Sequence, residues 1–144
     1  MIFSYSLYFF KLLFKVILLT CFFFCFFTHK PILAQSKKWK EFHKAQKVTM
    51  FYSPKSLRGK GIKQLEVMLN FTSEQTSQDG KKIKSIRMIQ NYDCTSNRLR
   101  LRSAINYSKS FLKGYEVSKG NEVTPWQAIP KGTPYSKLMK IICD

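Results

Sequence analysis

The sequence predicts an α+β domain: antiparallel strands backed by one C-terminal helix. Three observations predict it. From Val48 to Tyr107 apolar side chains recur at period two in short runs separated by turn residues. After Gly132 the apolar period becomes that of a helix. Finally, one cysteine, Cys94, closes a strand pattern and another, Cys143, closes the helix pattern.

The first 34 residues stand apart from this domain. "VILLTCFFFCFF", Val16 to Phe27, is an apolar run with Lys11 and Lys15 upstream and the breaker Thr28-His29-Lys30-Pro31 downstream. Ile32 and Ala34 then fall at the minus-three and minus-one positions of a cut before Gln35, the order of a secretory signal. A cleaved signal peptide over 1–34 and a single domain over 35–144 are therefore expected. Two rival readings exist. The whole apolar segment read as one helix, lysines included, would span a bilayer and tether the chain. Lipid attachment at Cys21 or Cys25 would require a small residue just before the cysteine, where Thr20 and Phe24 stand.

Removal of residues 1–34 leaves Cys94 and Cys143 as the remaining cysteines. Export and an even, low cysteine count imply one disulfide, with two buried free thiols as the alternative. Residues 35–144 carry 22 Lys and Arg against 8 Asp and Glu. That excess favours anionic partners such as sulfated glycans or lipid phosphates, without choosing among them.

Trp39 and Phe42 open the first segment that can enter a core. "VTMFYS" (48–53) is β-branched and aromatic and is closed by the Pro- and Gly-containing "SPKSLRGKG", so it reads as a strand and turn. "IKQLEVMLNF" (62–71) sets Leu65, Val67, Leu69 and Phe71 on one face, a half-buried strand. "TSEQTSQDGKK" reads as a polar loop. "IKSIRMIQNYD" (83–93) is apolar on both faces, which suits a covered strand, and Cys94 marks the Ile86 and Tyr92 face as the covered one.

"RLRLRSAINY" (98–107) alternates Leu99, Leu101, Ser103, Ile105 and Tyr107 against Arg98, Arg100 and Arg102, and pairs as a hairpin with the preceding strand. "FLKGYEVS" (111–118) is a weaker strand broken by Gly114, and "WQAI" (126–129) a short extended segment before Pro130. Thr133 is a good N-cap and Pro134 a favoured first helical residue; Tyr135, Leu138, Met139 and Ile142 then form an apolar stripe. So short a helix is marginal alone, and needs that stripe and Cys143 to hold it.

The order of Tyr52-Ser53-Pro54-Lys55-Ser56-Leu57, Tyr92-Asp93-Cys94, Tyr107, Trp126 with Ile129-Pro130, Thr133 and a closing Leu138 to Cys143 resembles the surface-adhesin protein E family of small exported bacterial proteins. The resemblance runs from about Trp39 to Cys143. It implies a curved antiparallel sheet of five or six strands with the C-terminal helix tethered by a disulfide between Cys94 and Cys143. It also implies, from the family's best-known member, adhesion to host extracellular-matrix and serum proteins. The chain departs from the family pattern at Ser53, where an Asp is expected, at Asn91, where an acidic residue is expected, and at Lys131 in "PKGTP".

Little in the residues argues for catalysis. The domain has one histidine, His43, both cysteines are assigned to a disulfide, and its acids are scattered. No enzyme activity, cofactor or metal is expected, and no nucleic-acid motif is present. The sharpest binding candidate is the Arg98, Arg100, Arg102 row, whose side chains project about 6.6 to 6.8 Å apart if all three share a strand face. Lys82, Lys84 and Arg87, with Lys81, come from the partner strand and its loop and would widen the patch. The aromatic residues, Trp126 among them, are expected to fill the core. Two function classes follow: an adhesin-like module contacting host proteins or anionic polymers through a basic sheet face, or a periplasmic envelope-associated protein with no host partner.

Overall fold

Strands form where the period-two runs lie, and they set the order of a single sheet. The computed structural model describes residues 38–77 and 79–144. The expected signal peptide, with Cys21 and Cys25, lies outside the described residues. β1 (Lys40–Lys44), β2 (Val48–Tyr52), β3 (Ile62–Thr76), β4 (Lys82–Asp93), β5 (Arg98–Tyr107) and β6 (Glu116–Gly120) lie side by side in chain order, each antiparallel to the next. β7 (Gln127–Ala128) pairs with Arg98 and Leu99, so β6 and β7 share the free edge of β5. One α-helix, α1 (Pro134–Cys143), ends the chain.

The sheet therefore has seven strands, where five or six were expected. β1 is the addition. Its sequence, KEFHK, offers one apolar residue and no alternation, and Phe42 is passed over in the register, which runs from Glu41 opposite Phe51 to His43 opposite Met50. That bulge turns Phe42 inward, where it is 3% exposed. β3 also outruns its expected end and continues through the polar TSEQT to Thr76, with a register slip between Asn70 and Gln75.

One face of the sheet carries the core. Tyr52 stands opposite Val67, Val67 opposite Met88, Leu65 opposite Gln90, and Tyr92 opposite Leu99. Onto these rows α1 lays Leu138, Met139 and Ile142, all buried. The Ile86 and Tyr92 face is thus the covered one, as Cys94 indicated. Gln90, 3% exposed, is the polar exception in this core; its Oε1 accepts the Tyr92 hydroxyl at 2.6 Å. Burial pushes the Tyr92 phenol well up, so it stays a neutral donor.

The helix forms as its sequence specifies. Thr133 Oγ1 accepts from Ser136 N at 3.2 Å, with Pro134 next in line. At the other end Cys143 bonds to Cys94 at the end of β4, with the two Cα atoms 5.7 Å apart, so the free-thiol alternative is not realised. No helix among the described residues is long and apolar enough to cross a membrane.

Candidate functional site

The face of the sheet turned away from α1 holds the basic residues that the sequence singles out. Alternation places Arg87, Ile89, Asn91 and Asp93 of β4 on this face. Their register partners are Ile105, Ser103, Arg100 and Arg98. Arg98 and Arg100 therefore share a face, as their spacing predicts.

Arg102 does not continue the row. Ile89 pairs with Ser103 and Gln90 with Leu101, so Arg102 is the extra residue of a β-bulge and faces no residue of β4. After the bulge the alternation reverses, and Ser103, Ile105 and Tyr107 join the Arg98 and Arg100 face instead of the core. Lys82 and Lys84 are also apart from the arginines. They lie at the opposite end of β4 and alternate away from Arg87. There Lys82 Nζ donates to Thr76 Oγ1 at 2.8 Å and Lys84 Nζ to the Thr72 carbonyl at 2.7 Å. The six candidate residues thus do not form one patch.

Acids divide the remaining arginines. The Arg87 guanidinium donates to Glu66 Oε1, and Lys38 Nζ lies 3.5 Å from Glu66 Oε2. Burial opposes ionisation of Glu66, yet these two cations outweigh it and hold the carboxyl below its usual range. Arg98 donates to Asp93 Oδ2 at 3.0 Å, while Asp93 Oδ1 accepts the backbone N–H groups of Thr95 and Ser96 at 3.1 Å each. The Ser96 backbone bond first, and Arg98 next, hold the Asp93 carboxyl down. Arg87 and Arg98 are thereby fixed in place and partly neutralised.

Arg100 is held differently. Its guanidinium lies 4.4 Å from the centroid of the Trp126 ring, and that of Arg98 lies 5.7 Å from the same ring. Among the described residues no carboxylate is within ion-pair range of Arg100. A guanidinium held over an indole is oriented by that contact, which leaves its terminal N–H groups to meet an oxyanion in two-point fashion.

Trp126 is the residue of this candidate site that sequence reasoning placed wrongly, in the core. It is half-buried on the outer face. The β7 register, Ala128 opposite Arg98 and Gln127 opposite Leu99, carries Trp126 to the level of Arg100. Thr124 extends the contact, since its N–H donates to the Leu101 carbonyl and its Oγ1 accepts from Leu101 N, each at 3.0 Å. Nothing in the "TPWQ" string announces this pairing. Among the described residues no three His, Cys, Asp or Glu side chains gather as a metal site would require.

Known structures share this architecture. Haemophilus influenzae protein E superposes with a TM-score of 0.58 at 14% identity, over 74% of this chain and 83% of that one. Its second crystal form gives 0.60 at 13% identity, over 74% and 87%. Protein E from non-typeable Haemophilus influenzae gives 0.55 at 16% identity, over 72% and 74%. Likeness at such identities speaks for the fold alone. No curated protein matches the sequence significantly. The family described as Surface-adhesin protein E matches residues 39–144, nearly the whole of the described domain, and the chain belongs to that family.

Proposed function

We propose that the chain is an exported, adhesin-like binding module, freed by removal of residues 1–34, that contacts anionic polymers or host matrix and serum proteins through the Arg98, Arg100 and Trp126 face. Membership of a surface-adhesin family supports a binding role over a catalytic one. The observation that carries the proposal is the Arg100 guanidinium held over Trp126 beside Arg98, in a domain whose cations greatly outnumber its acids. That contact orients the charge, so less side-chain freedom is lost when a sulfate or carboxylate arrives.

The reading is tested on immobilised heparin. Arg98→Ser/Arg100→Ser should elute at clearly lower salt than the parent chain, and adding Arg102→Ser should change elution much less. Elution of the double variant at the parent's salt would refute it.

A further inference from the structure

Residues 108–115, SKSFLKGY, join β5 to β6 by a loop whose shape is closely specified. Ser108 N donates to the Tyr115 carbonyl at 3.1 Å, Lys109 N to the Lys113 carbonyl at 3.2 Å, and Tyr115 N to Ser108 Oγ at 3.1 Å. Where a strand from Phe111 was expected, a 3-10 turn spans Ser110–Leu112, with Phe111 and Leu112 at φ of 56° and 58°. Two successive side-chain-bearing residues in the left-handed region are unfavourable, and they persist only where their surroundings impose them. Here the sheet imposes them. The fully buried Ser85 donates its Oγ hydrogen to the Lys109 carbonyl and accepts from Leu112 N, and Asn70 Oδ1 accepts from Phe111 N. Gly114 completes the turn at φ of 79°, where a Cβ would lie 2.3 Å from Ser108 Oγ.

The strain fixes what the loop displays. Tyr115 is 70% exposed and Phe111 44%, the latter ring tilted against Phe51 at a centroid distance of 5.8 Å. Lys109 and Lys113, on either side of Phe111 in the chain, are exposed, and with Phe111, Lys84, Ser108, Ser110 and Glu74 they line an open groove of about 370 Å³. Aromatic rings projecting among lysines match the two layers of a bilayer surface: phosphates for the cations and the headgroup boundary for the rings. A soluble polyanion would use the lysines and leave the rings in water. The groove lies at the opposite end of β5 from Arg98 and Arg100, so it is separated from them along the length of the strand.

We infer that loop 108–115 is a preformed docking tip for bilayers that carry anionic headgroups, independent of the proposed arginine face. The test is cosedimentation of the chain from residue 35 with vesicles of phosphatidylcholine containing phosphatidylglycerol. Lys109→Ser/Lys113→Ser should weaken binding by about tenfold or more, and Tyr115→Ser should weaken it by several-fold at unchanged charge. The control Lys131→Ser/Lys137→Ser removes the same charge from exposed positions elsewhere and should have little effect. All these side chains are exposed, so folding is not at issue. Equal losses from the loop and control pairs would reduce the binding to diffuse charge and overturn the inference. An unaffected Tyr115→Ser would overturn it in favour of a soluble anionic partner. Heparin elution, which reads the arginine face, should be nearly unchanged by the Tyr115 substitution.

Discussion

Glu66 shows how a single residue sets the character of the outer face. Its carboxylate receives Arg87 and Lys38 and removes two cations from the surface that Arg98 and Arg100 dominate. Because its folded-state pKa is depressed, the folded state binds its proton less readily than the unfolded chain does. The stability this contributes is therefore present above the ordinary glutamate value of 4.5 and is lost as pH falls from there through the lower folded value. Glu66→Gln should destabilise the domain by about 1 to 2 kcal/mol at pH 7, since it leaves Arg87 facing an amide. Denaturant unfolding from pH 7 down to pH 3 is the check. The gap between parent and variant should narrow steadily below about pH 4.5, whereas a constant gap would assign the loss to packing.

At the scale of elements, the helix and the sheet depend on one bond. α1 has ten residues, too few to be stable alone in water, and it is held by Leu138, Met139 and Ile142 on one side and by Cys143 at its end. The bridge spans 49 residues, which on the chain-entropy account corresponds to about 4 kcal/mol. Cys143→Ser should cost about that much by thermal or denaturant unfolding. Thr133→Ala, which removes the cap to Ser136 N and the hydroxyl's bond to the Pro130 carbonyl, should cost about 1 kcal/mol. A Cys143→Ser loss no larger than that of Thr133→Ala would mean the apolar stripe alone holds the helix.

The same elements show what a sequence does and does not disclose. The helix was legible to the residue, because cap, proline and stripe are all local signals. β2, β3 and the start of β5 were legible because each buries one face, and burial imposes alternation; β4 was legible as a run apolar on both faces, as a covered central strand is. β1 was not, since a strand that contributes only Phe42 to the core leaves no period to read. The arginine face was half legible. Spacing alone put Arg98, Arg100 and Arg102 in one row, but the bulge at Arg102 depends on how β4 pairs, and pairing is a property of two strands. Trp126 escaped for the same reason: its partners are set by the register of β7 on β5, some 25 residues earlier in the chain. The strained turn at Phe111 and Leu112 left no trace in composition, because buried Ser85 imposes it from a different strand.

Over the whole molecule, the sheet separates two basic sites that net charge would merge. Arg100 and Tyr107 stand opposite Asn91 and Ser85, six residues apart on β4, about 20 Å along the strand at the usual rise per residue. The screening length at physiological salt is about 8 Å, so a charge at one end barely changes the potential at the other. The two ends should then bind at once, with the loop on a bilayer and the arginine face directed to a polymer. Vesicle-bound protein should accordingly carry labelled heparin into the pellet at physiological salt. Arg98→Ser/Arg100→Ser should still sediment with vesicles but bring down much less heparin. Lys109→Ser/Lys113→Ser should leave both protein and heparin in the supernatant while still eluting late from a heparin column. If heparin instead stripped the parent protein from the vesicles in proportion to the amount added, the two ends would be competing as one site. The separation inferred from the length of β5 would then be wrong.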